Sequence, residues 1–139
     1  MKRIFADTFY WVALLNTRDN WHQRTLEITA SLDVVEIIIT DEVLTEVLNL
    51  LCTYGKPMRR RTTQLIKDIL QNPNIRVVQQ TRESFLQGLS LYEKRLDKEY
   101  SLTDCISIQV MKQMSIDEIL THDKYFAQEG FTILFPSQR

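Results

Sequence analysis

An α/β fold with a central parallel sheet of about five strands flanked by helices is the architecture this chain predicts, on three observations. Short apolar runs, among them the β-branched Ile37-Ile38-Ile39, have the composition of strands covered on both faces. Between them lie longer segments whose apolar residues recur at helical spacing. Strands separated by helices imply parallel pairing through right-handed crossovers. A length of 139 residues, with 44% hydrophobic and 25% charged side chains, suits one globular domain spanning 1–139. Three glycines, three prolines and no low-complexity run leave no boundary to place within it.

Residues 3–6 read as the first strand, followed by Asp7-Thr8 and a helix over 9–15. After the Asp19-Asn20 turn a second helix covers about 21–32. Residues 36–40 form the second strand, and Thr40 or Asp41 caps the helix behind it. That helix is expected to bury Val43, Leu44, Val47, Leu48, Leu50 and Leu51 and to carry Glu42, Glu46, Asn49 and Thr53 on its polar stripe. Gly55-Lys56-Pro57 stops it and starts a helix over 58–70, with Leu65, Ile66, Ile69 and Leu70 inward. Residues 75–78 are the third strand. Thr81 caps a helix over 82–96 with Phe85, Leu89 and Tyr92 inward and Leu86 and Leu96 near that face. The run Cys105, Ile106, Ile108, Val110, Met111, Met114 is apolar around most of a helical wheel, which marks a helix buried on several sides. Strands over 116–121 and 131–135 enclose a last short helix over 124–129.

Cys52 and Cys105 sit in apolar helical patterns and are expected as buried, reduced thiols. With no signal-peptide pattern at the start and no apolar stretch long enough for a bilayer, they predict a cytoplasmic protein with no membrane partner. A net charge of −1 carries no global nucleic-acid signature, so binding of that kind would need a local basic patch.

Four acids occupy related places in this plan. Asp7 follows the first strand, Glu46 lies about one turn into the helix after the second, Asp104 opens the buried helix, and Asp123 follows the fourth strand. Each has an ordinary structural reading as well. Ser101 and Asp104 have capping-box spacing, and Asp123 suits a turn or an N-cap. In a parallel sheet, however, all four face the carboxyl edge, where ligands bind. Four carboxylates with no fixed cation among them repel, and a hard divalent cation is the usual remedy. There is no C-x-x-C pair and no H-E-x-x-H, and His22 and His122 lie far apart in sequence, so the common zinc arrangements are excluded. Oxygen ligands suit Mg²⁺ or Mn²⁺.

The opening F-A-D-T, the block T-D-E-V-L-T-E-V-L-N-L-L, the segment D-K-E-Y-S-L-T-D-C and the ending L-T-H-D-K-Y-F-A-Q-E-G-F together resemble the PIN-domain family, and within it the VapC-type toxins of toxin–antitoxin pairs. The resemblance covers essentially the whole chain. It implies a metal-dependent ribonuclease with Asp7, Glu46, Asp104 and Asp123 as the acidic quartet and Thr8 as the hydroxyl residue beside the first acid. It also implies a cognate antitoxin and a homodimer. Many members carry a small residue such as serine where this chain has Phe9, so a narrowed or reshaped cleft is expected here.

Phosphodiester hydrolysis needs an activated water, in-line geometry and neutralised phosphoryl charge, which one or two carboxylate-held ions supply. On this reading Asp7 and Asp104 are the direct ligands, Glu46 and Asp123 complete the site, and Thr8 orients a water or a carboxylate. Guidance of the RNA phosphates falls to Lys56, Arg59, Arg60 and Arg61, and to Lys124, unless these are simply solvated. Tyr10 and Trp11 are candidates for base stacking or for the core, and His122 for a phosphate contact or a structural role. A haloacid-dehalogenase-type phosphatase needs a second acid two residues after the first, where Phe9 stands. A receiver-like domain needs a phosphoacceptor aspartate after the third strand, where Gln79-Gln80 follow Val78. A catalytically silent module that binds RNA or protein is the alternative of a different class.

Overall fold

The computed structural model describes residues 1–136. Five strands, β1 (Lys2–Ala6), β2 (Val35–Thr40), β3 (Ile75–Val78), β4 (Glu118–Leu120) and β5 (Thr132–Ile133), form one sheet in the order β3-β2-β1-β4-β5. Every pairing is parallel. The helices are α1 (Thr8–Leu15), α2 (His22–Ser31), α3 (Asp41–Leu51), α4 (Lys56–Gln71), α5 (Arg82–Lys94), α6 (Leu102–Gln113) and α7 (Lys124–Gln128). The chain builds outward from β1 to β3, then returns to lay β4 on the other side of β1. The strand order therefore reverses between β1 and β4, and the carboxyl ends of those two strands border the crevice of an open α/β sheet.

Local chemistry starts the helices where the sequence signals them. Thr40 accepts a hydrogen bond from the Val43 N–H at 3.1 Å and caps α3. Thr81 and Ser84 form a reciprocal capping box on α5, and Ser101 and Asp104 another on α6. Pro57 lies in the first turn of α4, and Gly55, at φ 94°, supplies the left-handed entry to it. The core is continuous across the sheet, with Phe5, Ile38, Ile39, Ile119, Leu120 and Phe126 fully buried. Helix α6 buries Cys105, Ile106, Ser107, Ile108, Val110 and Met111, as a helix apolar on several sides must.

The predicted elements are all present, and the differences lie in ends and in helical phase. Strand β4 is shorter than 116–121 because Ser115, at φ 55°, and the Ile116 N–H bonded to the Met111 carbonyl still belong to the end of α6. Strand β5 is shorter than 131–135, although the Leu134 and Phe135 N–H groups go on to donate to the Ile119 and Thr121 carbonyls. Leu48, Leu50 and Leu70 were expected inside and are exposed, because α3 seats on Val43, Leu44, Val47 and Leu51, and α4 on Met58, Thr62 and Ile69. Cys52 is exposed one residue beyond Leu51, about 100° around the wheel from it, while Cys105 is buried as expected.

Helix α5 shows the largest correction. Leu86, Leu89, Tyr92 and Leu96 are exposed, and the inner face is Gly88 and Leu91, with Phe85 half-buried. The spacing was right and the phase was not, because Gly88 is the point of closest approach to α6. A Cβ built there would overlap Ile106 Cγ1 and lie 3.4 Å from its Cα. Gly88→Ala is therefore expected to lower stability by about 1–3 kcal/mol despite alanine's better helix propensity, read as a drop in the urea midpoint.

A buried carboxylate ties together the parts that frame the carboxyl edge. Glu129, at the end of α7, accepts two hydrogen bonds from the Arg95 guanidinium, both 3.0 Å, and one from the Tyr100 hydroxyl at 2.8 Å. Lys112 of α6 lies 3.5 Å away. Arg95 ends α5 and Tyr100 precedes the α6 cap, so one side chain fixes α7 against both. The bonds from Arg95 hold its carboxyl down to about 2, well below the usual range. Among the described residues no helix is long and apolar enough to cross a membrane.

Candidate active site

Asp7 stands at the carboxyl end of β1 as the residue before α1, and only 6% of its surface is exposed. In the β1/β4 register Ala6 is opposite Leu120, so the next residues, Asp7 and Thr121, emerge side by side. The buried Thr121 hydroxyl donates to Asp7 Oδ2 at 3.0 Å and accepts the Asp123 N–H at 3.2 Å. A short chain of hydrogen bonds thus runs from the backbone of residue 123 to the carboxylate of residue 7. Sequence reasoning missed Thr121. The signal available was its place at the end of the strand beside β1, and that neighbour is known only once the strand order is known.

Burial is the main cause that pushes the Asp7 carboxyl up to about 7, with the charge of Asp104 next and that of Glu46 adding to it. The hydrogen bonds from the Thr8 backbone and from Thr121 pull the other way and are outweighed. Asp104 is raised to about 6, again chiefly by burial, with Asp123 and Glu46 contributing repulsion. Asp7 thus feels the charges of Asp104 and Glu46, and Asp104 those of Asp123 and Glu46.

They are not, however, drawn round a single point. Among the described residues no three His, Cys, Asp or Glu side chains are grouped closely enough to hold one metal ion together. Three of the four acids take local N–H or O–H donors: Asp7 takes Thr121, Asp104 Oδ2 takes the Ser101 N–H at 3.0 Å, and Asp123 Oδ1 takes the Tyr125 N–H at 2.9 Å. Asp104 and Asp123 are thus caps of α6 and α7 as well as members of the acidic group. The donor chemistry fits a hard divalent cation, being carboxylate oxygens beside the buried Thr8 hydroxyl, which has no partner of its own.

Glu46 borders a hollow of about 250 Å³ with Glu42, Thr45, Asn49, Gln80 and Thr103. Burial raises the Glu42 carboxyl, and its Oε2 is enclosed without a partner. Lys124 is exposed at the first position of α7, next to Asp123. Arg59 donates to the Cys52 carbonyl at 3.1 Å, and Arg61 lies against the Met58 sulfur. Cys52 closes α3 about 18 Å along the helix from Thr40, so Arg59 is bonded at the end of α3 remote from the carboxyl edge. No hydrogen bond or ion pair links Arg59, Arg60 or Arg61 to the acids among the described residues. Tyr10 and Trp11 are core residues, 5% and 4% exposed, and Tyr10 bonds Thr29 while Trp11 bonds the Ala6 carbonyl.

The sheet is parallel throughout, with Asp7 just beyond β1 and Asp123 just beyond β4 at its carboxyl edge. The PIN domain model matches residues 4–131, and the chain belongs to that family. Over 133 residues it is 28% identical to the 23S rRNA-specific endonuclease VapC20 of Mycobacterium tuberculosis, covering 96% of this chain and 98% of that protein. The crystal structure of the M. tuberculosis VapC20, described as a sarcin-ricin loop cleaving toxin, superposes with a TM-score of 0.85 at 27% identity, over 96% of this chain and 99% of that one. FitAcB from Neisseria gonorrhoeae shares the fold at 19% identity and a TM-score of 0.65, over 94% and 95% of the two chains. A toxin–antitoxin complex from Klebsiella pneumoniae does so at 13% and 0.63, over 98% and 99%.

Proposed function

We propose that this chain is an endoribonuclease, a single nuclease domain that hydrolyses RNA phosphodiester bonds and serves as the toxin of a toxin–antitoxin pair. The observation that carries this reading is the buried Asp7 carboxyl, pressed up to about 7 by burial and by two further acids, a group whose charge a bound cation would relieve. Asp7, Glu46, Asp104 and Asp123 would hold Mg²⁺ or Mn²⁺. That ion supplies activation of water and neutralisation of phosphoryl charge. The chain's own part is positioning. The Ser101 capping box keeps Asp104 rigid at the mouth of α6, Thr121 aims Asp7, and the unpaired Thr8 hydroxyl orients a water or a carboxylate. Lys124 reaches a phosphate beside the site, and Arg59, Arg60 and Arg61 hold RNA that extends beyond it.

VapC20's named target makes 23S ribosomal RNA the first substrate to test, in the cytoplasm where such RNA is found. The Klebsiella complex supports an antitoxin partner, which would place an arginine or lysine among the carboxylates and displace the cation. A homodimer completes the proposed assembly. Incubation of the protein with a 23S rRNA transcript and Mg²⁺ or Mn²⁺ should give discrete cleavage products, and EDTA or Asp104→Asn should remove them. Products that persist in EDTA would defeat the metal dependence, and none with either metal would defeat the nuclease reading in favour of a silent binding module.

Thr121→Val tests the positioning. It removes the donor to Asp7 and the acceptor of the Asp123 N–H, so kcat should fall about 10–100-fold with the fold retained. Losing a donor to the charged form raises the Asp7 pKa further, so the acid limb of the pH–rate profile should move to higher pH. Thr121→Ser should restore both. An unmoved pH limb would assign Thr121 to packing alone.

A further inference from the structure

Beside the acids the chain builds a layered set of rings that rises from the core to the surface and that the proposed hydrolysis does not use. Phe135 is fully buried at its base. Phe9 and Trp21, half-buried, stand edge-on to it with ring centroids 5.0 and 5.9 Å away, and edge-on to each other at 5.6 Å. His122 lies over both, 4.3 Å from Phe9 and 4.9 Å from Trp21, tilted only 38° to the indole, and is itself exposed. The chain connectivity ties this stack to the acids at two points. Phe9 is two residues after Asp7, and His122 stands between Thr121, which bonds Asp7, and Asp123.

From this arrangement we infer that Phe9, Trp21 and His122 form a stacking shelf for one unpaired nucleobase of the RNA, next to the scissile phosphate. The inference rests on the proposed ribonuclease reading and names a part of its substrate site. An exposed aromatic ring normally keeps its rotamer freedom, whereas the His122 imidazole is held in place by two rings beneath it. Its outer face is therefore a flat surface already ordered for a ligand, which reduces the entropy lost on binding. A nucleobase is the flat partner that RNA offers, and in a duplex both its faces are covered by neighbouring pairs, so the base must be unpaired. The shelf recognises a π-face and no base edge. It favours a looped or single-stranded segment over a duplex and tolerates the identity of the base.

Short single-stranded RNA oligonucleotides with one abasic nucleotide placed at each position in turn test this. Binding is measured by fluorescence anisotropy with the full chain carrying Asp7→Asn, in EDTA, so that the readout does not depend on catalysis. One position is expected where removing the base weakens binding about tenfold or more. In the same background His122→Ala should weaken binding of the intact oligonucleotide by a similar factor and abolish the sensitivity to that abasic position. His122→Phe should keep both. In turnover by the wild-type acids, His122→Ala should raise KM with little change in kcat. Abasic sensitivity that is the same with and without the His122 ring overturns the shelf, and so does an absence of sensitivity at every position. Failure of the wild type to cleave RNA under any metal, with the abasic effect and its loss in His122→Ala intact, would remove the nuclease reading and leave the shelf standing.

Discussion

Asp7→Asn should reduce metal-dependent RNA cleavage at least a hundredfold and yet melt about 5–10 °C above wild type in EDTA at pH 8. The first half follows from the proposed role. Even partners of metal ligands are worth about 10–100-fold when removed, and Asp7 is proposed as a ligand itself. The second half follows from burial. Asp7 titrates at about 7 in the folded chain, against about 4 for an unfolded aspartate. Below pH 4 both states are protonated and the acid has no effect. As pH rises from 4 to 7 the unfolded chain releases the proton first, so wild-type stability falls across this window and levels off above it. The loss is roughly 4 kcal/mol at most, worth several degrees in a domain of this size. Asparagine carries no charge to desolvate and keeps an oxygen for the Thr121 hydroxyl. Melts of both proteins at pH 4 and pH 8 decide the matter, because the two curves should converge at the lower pH. A variant that is less stable at pH 8, or one that still cleaves, would show that Asp7 is an ordinary structural acid.

Added Mg²⁺ or Mn²⁺ should raise the melting temperature of the wild type and do much less for Asp104→Asn. A ligand at a hundred times its Kd stabilises the native state by about 2.7 kcal/mol, and loss of a ligating carboxylate removes most of that gain. Without metal the order should be level or reversed, with Asp104→Asn melting no lower than wild type at neutral pH. Two opposed effects set that order. The capping box and the α6 N-terminus favour the carboxylate, by about 0.3–1 kcal/mol for such local terms. Burial first, then repulsion from Asp123 and Glu46, disfavours it and wins, since the folded pKa stands at about 6. That sign means the penalty grows as pH rises from about 4 through 6. The asparagine side chain can also accept the Ser101 N–H, and the residue-104 N–H still donates to the Ser101 hydroxyl, so both bonds of the box can persist. Thermal melts in EDTA and across a metal titration separate the outcomes. If Asp104→Asn were clearly less stable in EDTA, and metal shifted both proteins equally, Asp104 would be a cap and nothing more.

The split between these readings mirrors what a one-dimensional chain can encode. Helix starts, the strand runs and the four acids are written in patterns a few residues long, so Thr81 and Ser101 could be assigned as caps from their neighbours alone, and the cap of α3 narrowed to Thr40 or Asp41. Parallel order followed from helices between strands, and with it the placing of Asp7, Glu46, Asp104 and Asp123 at one edge. Two things were beyond that reach because they depend on residues far apart in sequence. Which side of α5 turns inward was decided by Gly88 fitting against Ile106, a contact between two helices that hydrophobic spacing along one of them does not contain. The hydrogen bond from Thr121 to Asp7 joins residues 114 positions apart and exists because β4 pairs with β1 in a register that sets them side by side. By itself the sequence determined the elements, their order and the edge on which the acids stand. Tertiary structure alone decided which neighbours those acids meet and how deeply Asp7 is buried, because desolvation and pairing depend on distances that only the packed sheet defines.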